Sequence, residues 1–277
     1  MANTGHVTRS SPAGAAALAA IKERAANAVI ALDFDGTISP IVEDPAAARA
    51  HPGAPGALAR LAPLVNAVVI ITGRPAALAV EYGGFAEVEG LTVLGQYGAE
   101  RWESGVLHTP EPPPGVAEVR AKLPEVLAAA GAPDGTSIED KGHALAVHTR
   151  RTTEPQVAID RLRGILAALA ERTGLTVEPG RYVLELRPPG MDKGAALRGF
   201  VAERAATAVL YAGDDLGDLA AYDAVEELRA KGLAGVTVCS GSDEVAVLAE
   251  RADVVVDGPD GVVRLLTKLA ADIQAAA

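Results

Sequence analysis

Six short apolar runs punctuate the chain: "AVIALDF" (28 to 34), "AVVIITG" (67 to 73), "LTVLG" (91 to 95), "TAVLYAGDD" (207 to 215), "AGVTVC" (234 to 239) and "ADVVVDG" (252 to 258). Each is apolar along most of its length rather than at every second position, the pattern of a strand covered on both faces. Between most of them lie Ala- and Leu-rich segments with helical spacing, such as "PGALARLAPL" (55 to 64) and "DKGAALRGFVAERA" (192 to 205). This repetition of strand, helix and strand predicts an α/β fold with a parallel sheet and helices on both of its faces.

The middle of the chain reads differently. After the Pro-rich "TPEPPPGVAEV" comes a helix near 115 to 130, then "TSIED" and "HALAVHTR", a helix near 154 to 172, then "LTVEP" and "RYVLELR". Polar and apolar residues alternate in these strands, which suits a small antiparallel sheet with one face on two helices. The expected organisation is a core of 27–110 and 189–277, an inserted α+β cap (αββαββ) of 111–188, and a lead-in of 1–26. The lead-in reads as a short helix rather than an export signal, because "SSPAGAAALAAIKERAANAV" runs straight into Lys22, Glu23 and Arg24.

Composition narrows the function classes. The 277 residues suffice for a large domain carrying a smaller one, and with 49% hydrophobic but only 3% aromatic residues the core must be aliphatic. A net charge of -11 argues against a nucleic-acid binder, which displays concentrated basic surface. The single cysteine, Cys239, excludes an internal disulfide. No apolar run approaches the roughly 18 residues of a membrane span. A cytoplasmic enzyme with no membrane partner is the expectation, and a monomer is compatible with it.

Four polar motifs fall at strand ends or helix starts: "DFDGT", "ITGR", "MDKG" and "GDDLGD". In open parallel sheets ligands bind beyond the carboxyl ends of the strands, where these motifs could meet. Asp33 and Asp35 would share one side of an extended segment, and Gly36 would let the chain turn. With Asp214, Asp215 and Asp218, up to five carboxylates would crowd one rim. Ionised together they would repel, and a hard divalent cation with oxygen ligands, Mg2+, relieves this. Carboxylates, Mg2+, Lys193 and the Thr72 hydroxyl are the parts that phosphoryl transfer needs. Each motif alone has a plain structural use, as a helix cap, a turn or a solvated acidic loop. Their convergence at one sheet edge is what points to chemistry. No Gly-x-Ser-x-Gly elbow and no P-loop occurs.

In order, "DFDGT", "TGR", "DKG" and "GDD" resemble the four motifs of haloacid dehalogenase-like phosphatases over about 30 to 260. "GQYGAE" (95 to 100), "KGHALAVHTR" (141 to 150), "LELRPPGMDKG" (184 to 194) and "GDDLGD" narrow the resemblance to the trehalose-6-phosphate phosphatase pattern. The resemblance implies a haloacid dehalogenase-like Rossmannoid core with an inserted cap, and a sugar phosphate as substrate. It implies that Asp33 attacks phosphorus, that Asp35 handles the proton, and that Thr72 and Lys193 hold phosphoryl oxygens. Mg2+ would bind Asp33, the backbone carbonyl of Asp35, and Asp214, with Asp215 or Asp218 acting from behind.

Arg74, Gln96, Lys141, His148, Arg150 and Glu185 are the implied substrate contacts. His148 and Arg150, like Glu185 and Arg187, are two apart and would share a strand face looking onto the aspartates. The chain departs from the pattern at Gln96-Tyr97, where Asn/Ser-His is usual, and at Gly217, Asp218, Leu219, where Thr then Asp-Glu is usual. The leading function is trehalose 6-phosphate hydrolysis. The rivals are a phosphatase of sucrose phosphate or of a glycosyl-phosphoglycerate, and a silent sugar-phosphate sensor or synthase subunit.

Overall fold

The computed structural model describes residues 7–241 and 246–276. The chain divides into two units, one running up to Thr109 and resuming from Asp192, the other Pro110–Met191.

The larger unit begins with β1 (Val7–Ser10), α1 (Pro12–Glu23), β2 (Ala28–Leu32), α2 (Ala54–Leu61), β3 (Ala67–Ile71), α3 (Ala76–Gly83), β4 (Leu91–Gly95), β5 (Glu100–Glu103) and β6 (Val106–His108). The smaller unit follows in sequence: α4 (Pro114–Ala129), β7 (Ser137–Asp140), β8 (Leu145–His148), α5 (Pro155–Arg172), β9 (Thr176–Gly180) and β10 (Val183–Arg187). The larger unit resumes with α6 (Lys193–Glu203), β11 (Ala208–Gly213), α7 (Leu219–Ala230), β12 (Ala234–Gly241), α8 (Ala246–Arg251), β13 (Val254–Asp257) and α9 (Gly258–Ala276).

The sheet of the larger unit runs β1-β13-β12-β11-β2-β3-β4-β5-β6. From β13 to β4 every pairing is parallel, while β1, β5 and β6 add antiparallel edges. All six apolar runs are therefore strands of one sheet. These three antiparallel strands were not expected, because their short mixed sequences carry no strand period. Residues 1–6 of the expected lead-in lie outside the described residues, and the rest is strand β1 followed by helix α1. Ser11 caps that helix by accepting from the Gly14 N–H at 2.9 Å, with Pro12 at the first helical position.

Continuous apolar strands produce two cores. In β2, Ala28, Ile30 and Leu32 face a layer from α1, α2, α3 and α9, while Val29 and Ala31 face α6, α7 and α8. A one-residue slip would exchange the two faces, so apolar side chains on both sides fix the strand's depth while the helices fix its register. The expected helices at 55–64 and 192–205 are observed as α2 with a following 3-10 turn, and α6.

The smaller unit has an antiparallel sheet in the order β7-β8-β10-β9. Leu145, Val147, Leu184 and Leu186 pack on Val116, Val119, Leu123, Ile159, Leu162 and Leu166 of the two helices. Because directly paired residues of antiparallel strands share a face, Glu139, Ala146, Glu185 and Glu178 form one row across the other side. Among the described residues no helix is long and apolar enough to cross a membrane.

Candidate active site

Strand order brings the acidic motifs together. β11 lies beside β2, with Leu32 paired to Ala212, and the ladder runs one step further as the Asp33 N–H donates to the Ala212 carbonyl at 2.9 Å. Asp33 and Asp214 thus leave adjacent strands at the same end. Gly36, at φ 70°, closes the turn after Asp33, and a Cβ there would run into the Asp214 carboxylate. The glycine of "DFDGT" is required by that approach.

Lys193 is the first residue of α6, whose N-cap Asp192 accepts from the Ala195 N–H at 2.8 Å. The lysine is buried, with Nζ 2.9 Å from Asp33 Oδ1 and 2.7 Å from Asp218 Oδ1. Burial alone would depress the ammonium, and the Asp218 and Asp33 carboxylates more than reverse this, holding it well above the usual lysine range.

Asp218 is the organiser of this cluster. Its Oδ1 accepts from Lys193 and from the Tyr211 hydroxyl at 2.6 Å, and its Oδ2 accepts from the backbone N–H groups of Asp214 and Asp215 at 2.9 and 3.1 Å. Burial opposes its ionisation, but Lys193, Tyr211 and the backbone donors prevail and hold it below the ordinary carboxylate range. With about two lone-pair sites per carboxylate oxygen, its acceptor capacity is filled. Its oxygens are thus taken up within the protein, an arrangement compatible with the expected place of Asp218 behind the metal ligands. Asp215 is exposed and caps its own turn, accepting from the Gly217 N–H at 2.9 Å, so its side chain serves the loop.

Asp33 and Asp214 remain. Oxygens of Asp33, Asp214 and Asp218 lie within 4.8 Å of one another. Burial pushes Asp33 well above the ordinary range, with Lys193 pulling it back only in part and Asp218 and Asp214 adding to the rise. Burial, then Asp218 and Asp215, push Asp214 up to about 7. Two crowded carboxylates with abnormally high proton affinity and all-oxygen donors fit a hard divalent cation.

The Thr72 hydroxyl, at the end of β3, is buried and accepts from the Arg74 N–H at 3.1 Å, which leaves its own proton for another acceptor. Two expected substrate contacts are engaged elsewhere. Arg74 donates Nε and Nη2 to the two oxygens of Asp35, each at 2.7 Å. Gln96 is buried and donates Nε2 to Glu100 Oε1 at 2.8 Å, while Glu100 Oε2 accepts from the Ala76 N–H at 2.7 Å. Pro75 offers no side-chain cap to α3, so the Glu100 carboxylate fills that place and ties the Gln96 turn to the "TGR" loop. Gln96 and Tyr97 both hold left-handed backbone, at φ 47° and 57°, as the turn demands.

In the smaller unit, Lys141 Nζ meets Glu185 Oε2 at 2.6 Å, and Arg187 lies 3.1 Å from Glu178 and 3.9 Å from Glu185. Glu185 Oε1 is buried and accepts no hydrogen bond among the described residues. His148 Nε2 lies 2.8 Å from Glu139 Oε2. Arg150 does not share a strand face with His148: β8 ends at His148, because the chain turns where the Thr152 N–H donates to the Thr149 carbonyl at 2.9 Å, and Arg150 is exposed within that turn. The residues missed by sequence reasoning are Tyr211 and Glu100. Tyr211 sits in an apolar strand run with nothing to mark its hydroxyl, whereas Glu100 stood at the end of the "GQYGAE" segment.

The family described as trehalose-phosphatase matches residues 31–256. A trehalose-phosphate phosphatase of Mycobacterium marinum is 36% identical over 204 residues, covering 70% of this chain and 50% of the relative. A Mycobacterium tuberculosis protein described as an uncharacterized glycosyl hydrolase is 34% identical over 259 residues, covering 88% of this chain but 18% of the relative. The chain therefore spans half or less of these relatives. The trehalose-6-phosphate phosphatase structure from Aspergillus fumigatus superposes with a TM-score of 0.68 at 25% identity, covering 92% of this chain and 97% of that one. The expected haloacid dehalogenase-like α/β fold is the observed one.

Proposed function

The chain belongs to the trehalose-phosphatase family, and on that premise we propose that it is a Mg2+-dependent phosphatase hydrolysing trehalose 6-phosphate to trehalose and phosphate. The observation that carries phosphoryl transfer is Lys193, buried between Asp33 and Asp218 at 2.9 and 2.7 Å beside the proton-avid Asp214. Such a cluster has a nucleophile, a fixed positive charge and a place for a cation.

In this reading an Asp33 oxygen attacks phosphorus, the bond from phosphorus to the sugar oxygen breaks, and that oxygen takes a proton from the Asp35 carboxyl. Water then attacks the aspartyl phosphate and gives its proton to Asp35, and Asp33 departs as a carboxylate. Lys193 and the Thr72 hydroxyl steady the phosphoryl oxygens, while Asp218 and Tyr211 keep Lys193 in place. Mg2+, held by Asp33, Asp214 and the Asp35 backbone carbonyl, would neutralise phosphoryl charge.

The disaccharide part rests on the family and on polar side chains of the smaller unit. Glu185 supports it: among the described residues its buried Oε1 accepts no hydrogen bond, with Arg187 3.9 Å away, and a ligand hydroxyl could donate to it. Lys141 shares that carboxylate and His148 stands near the same row, so these three are the proposed sugar contacts. The exposed Arg150 is left out.

Phosphate release from trehalose 6-phosphate, sucrose 6-phosphate, glucose 6-phosphate and a glycosyl-phosphoglycerate, with Mg2+ or chelator, tests both parts. Preference for trehalose 6-phosphate that chelator abolishes is the expected result. Better turnover of another sugar phosphate would overturn the disaccharide, and binding without release would favour a sensor.

A further inference from the structure

Arg74 was expected to touch substrate, yet its guanidinium is occupied within the protein. Nε and Nη2 grip both oxygens of Asp35 side-on at 2.7 Å, and Nη1 donates to the Pro45 carbonyl at 2.9 Å. The guanidinium carbon lies 5.5 Å from the Tyr82 ring centroid and 5.7 Å from that of Phe34. The backbone is fixed too, since the Arg74 N–H donates to Thr72 Oγ1 at 3.1 Å and its carbonyl accepts from Gln96 at 2.9 Å. The Arg74 side chain is 17% exposed and that of Asp35 41%. Arginine is the anchored partner and aspartate the held one.

A fork of two parallel N–H donors matches an ionised carboxylate, and a protonated carboxyl must give up one of the two bonds because its hydroxyl oxygen becomes a donor. The two half-reactions set out above need opposite forms of Asp35. It must carry a proton when the sugar oxygen leaves, and it must be a carboxylate when water attacks. The geometry observed is that of the second form.

We propose that Arg74 is a positioning residue that holds the Asp35 carboxylate as the base of the dephosphorylation half-reaction. This rests on the reading of Asp33 and Asp35 as nucleophile and acid–base pair. It predicts an asymmetry: losing the fork slows hydrolysis of the aspartyl phosphate more than its formation.

p-Nitrophenyl phosphate isolates the second half-reaction, because its leaving group departs as a stable phenolate and needs little protonation. With Mg2+ and the full chain, Arg74→Ala should release a burst approaching one p-nitrophenol per protein, then turn over at least tenfold more slowly than wild type, with KM lowered alongside kcat. In an Asp35→Asn background the same change should cost nothing further, because the residue it positions is gone. Arg74→Lys keeps the charge without the fork and should show the burst as well, and guanidinium added to Arg74→Ala should restore part of the rate.

A raised KM with unchanged kcat and no burst would mean that Arg74 grips phosphate, and would overturn the proposal. So would losses that multiply in the Asp35→Asn background, or a lysine variant that behaves as wild type. Should Arg74→Ala fail to fold, the lysine variant decides alone. A wild-type chain that hydrolyses no phosphomonoester would instead remove the functional reading beneath the proposal, a distinguishable outcome.

Discussion

Lys193 and Lys141 each bind a buried carboxylate, one in each unit, and the two pairs are finished to different degrees. In the larger unit, Asp218 has four donors for its two oxygens, and Lys193 bridges it to Asp33. In the smaller unit, Lys141 satisfies one oxygen of Glu185, and the other is buried with Arg187 3.9 Å away and accepts no hydrogen bond among the described residues. A fully satisfied cluster is rigid before any ligand arrives, which suits a site that must meet a developing charge with little rearrangement. A half-satisfied one is completed by what binds, which suits recognition. Under the proposed function, the contrast separates the machinery of the reaction from the means of choosing its substrate.

The sharpest way to break the comparison is at the proposed nucleophile. Asp33→Asn keeps the shape and removes the attacking oxygen, and turnover of every phosphomonoester should fall on the order of 10^4-fold or more. Near-normal phosphate release from this variant would move the chemistry elsewhere. Lys193→Ala leaves Asp33 and Asp218 buried without their shared cation, and should cost about 3–5 kcal/mol of stability. Urea titration gives the number, and a loss under 1 kcal/mol would show that the cluster is not the rigid half of the molecule.

Tyr211→Phe removes a single hydrogen bond to a charged group, for an expected loss of about 1.5–3 kcal/mol in the same titration. Glu185→Ala tests the unfinished half. It should lower kcat/KM for the disaccharide phosphate about tenfold or more while leaving p-nitrophenyl phosphate within twofold, since only the former offers sugar hydroxyls for Glu185 to bind. Equal losses on both substrates would erase the distinction between the two regions.

The smallest expected effect concerns charge. An acid whose folded pKa is raised stabilises the fold fully below its unfolded value, and that contribution is lost as pH rises through the folded value. For Asp214 the window runs from the ordinary 3.8 up to about 7. Without a cation, this group therefore favours the folded chain at the acid end. A bound cation needs the ionised form and reverses the preference, so Mg2+ should raise the melting temperature by a few degrees more at pH 8 than at pH 5.5. An equal shift at both values would count against Asp214 as a ligand.

The legibility of the site divides along similar lines. Asp33, Thr72, Lys193 and Asp214 were visible because each stands where an apolar run ends or a helix begins, and local sequence suffices to see that. The tie of Gln96 to Glu100 was hidden, since whether an amide points into the protein or toward a ligand depends on a partner supplied by the fold around it. Arg74 was hidden for the same reason: its partner, Asp35, lies 39 positions away. Arg150 went astray because strand spacing was extended past His148, where a turn had already ended the strand.

The sequence by itself determined the six central strands, the helix–strand rhythm of the inserted unit, and the meeting of four polar motifs at one sheet edge. It could do so because burial on both faces, antiparallel alternation and helix starts are each written in neighbouring residues. Only the tertiary structure decided what the charges do. It gave Lys193 and Tyr211 to Asp218, Arg74 to Asp35, and Lys141 with a more distant Arg187 to Glu185. A carboxylate becomes a ligand, a base or an anchor according to which donors surround it, and those donors come from distant parts of the chain.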